Sequence, residues 1–300
     1  MQSAILSAGA LLATPSILPQ TEHLNNPKVA SRHPFVLARD GTRLYVQDWG
    51  SGRPLIFLSA WTFQSNVWGG HMATLTKRGF RCVAPDRRGY GRSEAPRTGY
   101  DLDTMVDDLS MIMDELDLRD AVLVAHSMGA FEATHYLATR GANRIARLVL
   151  VAPTTPSSVK TEDNPEGWPK EAIEAQHELI ARDFPRWIGE NEEPFFTPDT
   201  SQETRRWIKN MMMSASIPVA LATAAATSTA DVRSDLAKIT CPTLIVHGDK
   251  DASAPLAMTG ARTARLIPNS KLIVYHNAPH AIILTHQKSF LNDLLAFIES

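Results

Sequence analysis

The sequence predicts an α/β protein built on a mostly parallel sheet of eight strands flanked by helices, with a helical lid inserted after the sixth strand. Two observations carry this. From about Pro34, short runs that are apolar at nearly every position alternate with stretches of helical period. Such runs suit parallel strands, whose crossover helices cover both faces of the sheet. Between about Thr154 and Thr229 the alternation stops, and the chain becomes rich in helix formers, Trp and Met.

Taken in order, Phe35 to Leu37 and Leu44 to Trp49 flank Asp40-Gly41, a dipeptide that favours a tight hairpin, so the chain opens with an antiparallel pair. The runs Leu55 to Leu58, Cys82 to Ala84, Val122 to Ala125 and Leu148 to Val151 follow as buried strands. Thr104 to Leu116 reads as a helix capped by Thr104, with Asp107 and Asp108 in its first turn. Its apolar face holds Met105, Leu109, Ile112, Met113 and Leu116. The inserted stretch contains Trp168, Trp187, Trp207 and Met211 to Met213 but no strand. Thr243 to His247 and Lys271 to Tyr275 supply the last strands, and a helix from about Thr285 to Ile298 ends the pattern. The chain therefore divides into an extension at 1–33, a core at 34–153 and 230–300, and a lid at 154–229.

Composition narrows the function. A chain of 300 residues is long enough to bury a sizeable core. Its formal net charge of -2 and lack of a basic run argue against nucleic acid as a partner. The two cysteines, Cys82 and Cys241, sit in apolar contexts without zinc-ligand spacing and fall on strands that are not neighbours, so they read as buried thiols and no metal is expected.

The first twenty residues are uncharged and largely apolar, from Ser3-Ala4-Ile5-Leu6 through Leu11-Leu12-Ala13 to Ile17-Leu18-Pro19. They are similar to the apolar region of an export signal, although no Lys/Arg-rich start and no small-x-small cleavage site accompany it. Two readings stand together: the remnant of such a signal in a periplasmic or exported protein, or an amphipathic or disordered extension of a cytoplasmic one. Pro15 and Pro19 interrupt a stretch already short of the roughly 20 apolar residues that a span needs, so no integral membrane anchor is expected.

The strongest chemical signal is Ala125-His126-Ser127-Met128-Gly129, placed between an apolar strand and a helix that begins at once. A serine there can be forced into a strained strand-to-helix turn that exposes its hydroxyl. A serine hydroxyl is a poor nucleophile until a base takes its proton. His280 is the best candidate base, because it follows a strand on a loop, after Asn277-Ala278-Pro279. His276 is still at the strand end and His286 already in the helix. His126 adjoins the serine but points to the opposite face, where it shapes the pocket. A carboxylate must hold the imidazole in one tautomer. Gly248-Asp249-Lys250-Asp251 offers two, of which Asp249 closes the turn and Asp251 lies deeper in the loop, making Asp251 the preferred acid.

With Ser127, Asp251 and His280 each after a strand and in that chain order, the sequence resembles the α/β-hydrolase family from about Phe35 onward. Asp86-Arg87-Arg88-Gly89-Tyr90-Gly91-Arg92-Ser93 is similar to that family's D-x-R-G-x-G-x-S segment, which stabilises the core near the nucleophile. Ala-His-Ser-Met-Gly, Ala-Pro-His and Trp61 resemble the branch of cofactor-free haloperoxidases, perhydrolases and aryl esterases. The resemblance implies an oxyanion hole formed by the backbone N–H groups of Trp61 and Met128, no cofactor, and a small ester or acyl compound as substrate. Ser59-Ala60-Trp61-Thr62 departs from the family's His-Gly-x-x, and proline is absent near Thr62, which favours ester hydrolysis over peroxide chemistry. Trp61 and Phe63, with Trp187, Trp207 and Met212 from the lid, are expected to shape an apolar pocket; Trp68 reads equally well as core. Enol-lactone, C–C bond and perhydrolase chemistry on the same triad are the enzymatic alternatives. A ligand-binding protein of the same fold is the non-catalytic one.

Overall fold

The computed structural model describes residues 34–141 and 143–300. The export-signal reading falls on residues 1–33 and so lies outside them. β1 (Phe35–Leu37) and β2 (Arg43–Gly50) form an antiparallel hairpin, with Gly41 in its turn at φ +85°, a conformation glycine adopts without strain. β3 (Pro54–Leu58), α1 (Gly69–Thr76), β4 (Arg81–Pro85), α2 (Leu102–Glu115), β5 (Ala121–His126), α3 (Gly129–Tyr136) and β6 (Ile145–Val151) alternate as strand and helix. After β6 the chain turns helical, with α4 (Lys170–Glu190), α5 (Glu192–Phe195), α6 (Gln202–Met213) and α7 (Ile217–Thr229). It then continues through α8 (Arg233–Leu236), β7 (Thr243–Gly248), α9 (Gly260–Leu266), β8 (Ser270–Tyr275), α10 (Ile282–Thr285) and α11 (Gln287–Glu299).

The described strands make one eight-stranded sheet ordered β1-β2-β4-β3-β5-β6-β7-β8. β2 runs antiparallel to β1 and β4, and all later pairings are parallel. The period of two along β5 divides its apolar residues between two cores. Val122 and Val124 pack with Phe57, Val149 and Val246 on one face, while Leu123 and Ala125 pack with Ile56, Leu150 and Ile245 on the other. Parallel strands put their carboxyl ends on one edge, so the loops after β3, β5, β7 and β8 converge there.

Three local expectations need correction. α2 starts at Leu102 and is capped by Asp101, whose carboxylate accepts the Thr104 N–H at 2.9 Å; the stronger cap lies three residues earlier than Thr104. Asp107 and Asp108 consequently fall beyond the first turn, and Asp108 is buried against Arg88 with two contacts of 2.6 Å. Cys82 is buried on β4, but Cys241 lies just before β7 and is only half-buried; both are free, and three strands separate β4 from β7. α4 kinks at Asp183, two residues before Pro185, whose ring disrupts the helical backbone preceding it. No single described helix is long and apolar enough to cross a membrane, and α6 and α7 reach that length only together, across a 91° bend.

Candidate active site

β5 ends in His126, and the next residue, Ser127, takes φ +55° before α3 begins. A non-glycine residue at positive φ is strained, and the surrounding structure must enforce it. Here the Ser127 N–H donates to Val151 O at 3.0 Å and its carbonyl accepts the Ala130 N–H at 3.0 Å. Gly129 permits the close approach of α3 to β3: a Cβ there would sit 3.0 Å from Leu58 Cβ and its carbonyl oxygen. Ala125 is fully buried within its core cluster, so a methyl group is accommodated where the family's motif usually has glycine.

The hydroxyl so exposed meets His280, whose Nε2 lies 2.8 Å from Ser127 Oγ while Nδ1 lies 2.7 Å from Asp251 Oδ2. A carboxylate accepts only, so Nδ1 carries the proton and Nε2 is left to accept from the serine. All three side chains are buried. The histidine and acid loops are brought together at Gly248, where a Cβ would stand 1.9 Å from Ala278 O, and Lys250 N–H donates to that carbonyl at 3.1 Å. The second oxygen of Asp251 accepts the Ala254 N–H at 2.7 Å. Burial pushes the Asp251 carboxyl upward, but His280 and His247 outweigh it and hold its pKa well below the usual carboxylate range.

Asp249 is elsewhere, bonded at 2.9 Å to His276 on the exposed rim. His286 precedes α11, where its ring packs on Tyr275 and is bonded by the Thr285 hydroxyl. His247 was not singled out in the sequence. It ends β7 fully buried, with Nε2 2.8 Å from Ala254 O and 3.2 Å from Asp251 Oδ2. Its position four residues before Asp251 was the available signal, but a strand reading gives no reason to fold that segment back.

Trp61 and Met128, the expected oxyanion donors, both face the cavity that Ser127 and His280 enter. Neither backbone N–H has an acceptor among the described hydrogen bonds. The loop carrying Trp61 is braced by Arg87, whose Nη2 donates to Ser59 O at 2.8 Å while Nε donates to Glu132 at 2.8 Å. The remainder of the Asp86–Ser93 segment is also structural. Asp86 Oδ1 accepts from Ser65 N–H at 2.7 Å, and Ser93 Oγ donates to Asp86 O at 2.5 Å.

The cavity measures about 420 Å³, within the range of small-molecule sites. Phe63, Trp187 and Met212 line it, beside Ile180 and Phe195. Phe195 from the short α5 packs against the His280 ring at 5.5 Å, a contact no sequence motif announced. Two expected pocket residues are not in its wall. Trp207 is 42% exposed, because α6 turns Arg205, Ile208 and Met211 inward. His126 is fully buried beneath the site, between Phe63, Trp68 and His280, and its Nε2–H donates to His280 O at 3.1 Å. Burial first, then the charge of His280, lowers its pKa to about 3 and keeps it neutral. Trp68 is core, with its indole N–H donating to Ser59 Oγ at 3.2 Å. Among the described residues, no group of three or more His, Cys, Asp or Glu side chains is placed to hold a metal ion.

This sheet order, with a serine at the β5 elbow and a histidine and acid on the loops after β8 and β7, defines the α/β-hydrolase architecture, and the chain belongs to that fold family, which it matches over residues 53–287. Among its relatives, a non-heme haloperoxidase of Rhodococcus erythropolis is 36% identical, the match covering 89% of this chain and 100% of that protein. A bifunctional esterase/perhydrolase of Acinetobacter calcoaceticus is 34% identical, covering 89% and 99%. Among solved structures, an esterase from Exiguobacterium antarcticum superimposes with a TM-score of 0.85 at 32% identity, covering 89% of this chain and 99% of that one.

Proposed function

We propose that the protein is a serine hydrolase that cleaves small carboxylic esters through an acyl-enzyme. The observation that carries this reading is the buried line from Ser127 Oγ through His280 to Asp251, opening on an apolar cavity. Ser127 Oγ attacks the ester carbonyl carbon as His280 Nε2 takes its proton. The carbonyl oxygen becomes an alkoxide, held by the Trp61 and Met128 N–H groups; losing one such donor typically costs about 100-fold to 1,000-fold. Collapse breaks the bond to the alkoxy group, which leaves with the proton from His280. Water then repeats the sequence on the acyl-serine, giving its proton to His280, and Ser127 recovers that proton as the acid departs.

The segment from 154 to 229 acts as a lid, supplying Trp187 and Met212 to the acyl pocket. A haloperoxidase and an esterase/perhydrolase among the relatives support a second reading, in which hydrogen peroxide replaces water at the acyl-serine. Against it, no proline stands near Thr62, whose hydroxyl donates to the Trp61 carbonyl at 2.6 Å, whereas some peroxide-active members of the branch resembled carry one there. The deciding experiment is labelling with a fluorophosphonate, followed by ester turnover and by acetate with peroxide. The wild type is expected to label at Ser127 and hydrolyse p-nitrophenyl esters, and a folded Ser127→Ala variant to do neither. A folded wild type that does not label would instead be a ligand-binding protein, whereas faster peracid formation than ester hydrolysis would favour the second reading.

A further inference from the structure

We propose that Thr223, on α7, is a positioning residue for the oxyanion loop, holding the Trp61 backbone N–H in place through the Trp61 indole. This rests on the reading of Trp61 as an oxyanion donor given above. The loop requires an anchor for a physical reason. Residue 60 is alanine, and Thr62, a β-branched residue, stands at φ +61°. A conformation of that kind is strained for a β-branched residue and persists only where its surroundings over-determine it.

The indole of Trp61 supplies the over-determination. Its Nε1–H donates to Ala220 O at 2.9 Å and reaches Thr223 Oγ1 at 3.2 Å. Thr223 is fully buried, and its single hydroxyl proton goes to the Val219 carbonyl at 2.9 Å. The same oxygen is met by the Tyr90 hydroxyl. Burial pushes the Tyr90 phenol up to about 12, so it stays protonated and donates. Thr223 thus accepts from two directions, joining the Trp61 loop, the segment after β4 and α7. Close packing maintains this junction: a Cβ at Gly89 would lie 2.5 Å from Val219 Cγ1. On its other side the indole meets Trp187 edge-on at 5.0 Å and Phe184 at 5.8 Å. A helix outside the core sheet therefore fixes a side chain whose own backbone is an oxyanion donor, and loosening that side chain frees the N–H to rotate away from the developing alkoxide.

The test is Thr223→Val, which keeps the volume and removes the hydroxyl. For p-nitrophenyl acetate, kcat is expected to fall about tenfold with KM within about twofold, the pattern of an interaction made in the transition state. Thr223→Ser should recover kcat to within about twofold of wild type. Trp61→Phe keeps a ring but lacks the N–H, so it should lower kcat similarly, and adding Thr223→Val should cost less than about twofold more. Unchanged kcat in folded Thr223→Val, or a rise in KM alone, overturns the assignment and leaves Thr223 as wall. If Thr223→Val does not fold, unchanged kcat in folded Trp61→Phe overturns it equally. A wild type that neither labels with fluorophosphonate nor turns over ester sinks the functional reading and this one together. A labelled, active wild type beside an unaffected Thr223→Val sinks this one alone.

Discussion

His247 Nε2 lies 3.2 Å from Asp251 Oδ2, the same oxygen that accepts from His280 Nδ1 at 2.7 Å. Two imidazoles therefore converge on one carboxylate oxygen, and the Ala254 N–H takes the other at 2.7 Å. An acid fixed on both oxygens has little freedom to rotate, so the His280 ring is held in the orientation that leaves Nε2 for Ser127. Burial opposes ionisation of Asp251, and the two histidines more than offset it.

Asp251→Asn should lower ester turnover by about four orders of magnitude, since an amide presents the wrong partner to Nδ1–H and cannot balance an imidazolium. Asp249→Asn should stay within about threefold of wild type, because Asp249 serves His276 at the rim. Equal losses in steady-state kcat would refute the assignment of the acid. Wild type and Asp251→Asn should also differ in stability. The folded-state pKa of Asp251 is depressed below its unfolded value of about 3.9. Its contribution is therefore present above about pH 4 and is lost as the pH falls through the folded-state value. Urea unfolding should show the gap between wild type and Asp251→Asn narrowing in acid, and a gap that widens there would contradict the sign.

The core strands, and the serine, acid and histidine that the fold brings together as candidates, could be picked out from sequence because each depends on local pattern. Val122 to Ala125 is apolar at every position because both its faces are covered, and the elbow follows at once. His247 and Trp207 could not be read in this way. Whether a residue on α6 faces in or out depends on what α6 packs against, and its buried side includes Arg205, bonded to Thr197 O at 2.8 Å, while a tryptophan faces outward. Amphipathic pattern alone assigns those two the other way round.

His280→Ala is expected to lose as much turnover as Ser127→Ala, because nucleophile and base act as a unit. His276→Ala, with its side chain 83% exposed, should remain within about twofold of wild type. His286→Ala removes a ring packed at a tilt against Tyr275 and should cost about 1 kcal/mol of stability with little change in kcat. Parallel kcat and thermal-melt measurements separate the three, and a collapse of turnover in His276→Ala with His280→Ala active would reverse the assignment.

Glu132→Ala leaves the buried guanidinium of Arg87 without its carboxylate, and breaking such a pair costs about 3–5 kcal/mol. Arg87 also holds the Ser59 carbonyl, so the folded variant should turn over ester more slowly as well. Urea denaturation gives the first quantity and kcat the second. A stability loss below about 1 kcal/mol would show that the pair is dispensable to the fold.

The helical segment after β6 has an inner and an outer surface. Trp187 and Met212 line the cavity, whereas Trp207 faces solvent from the outer side of α6. Trp187 is further fixed by its indole N–H, which donates to Gln176. Truncating Trp187 or Met212 to alanine enlarges the space available to the acyl group, so a long acyl ester should gain on a short one. The change in their kcat/KM ratio should be about tenfold for at least one variant, a little over 1 kcal/mol of discrimination. Trp207→Ala removes a comparable ring without touching the cavity, so its ratio should remain at the wild-type value. The measurement is kcat/KM for p-nitrophenyl acetate and octanoate across the three variants, with melting temperatures alongside. Should Trp207→Ala shift the ratio as far as Trp187→Ala, or should all three lose activity only in step with stability, the segment would be holding itself together and not selecting the substrate.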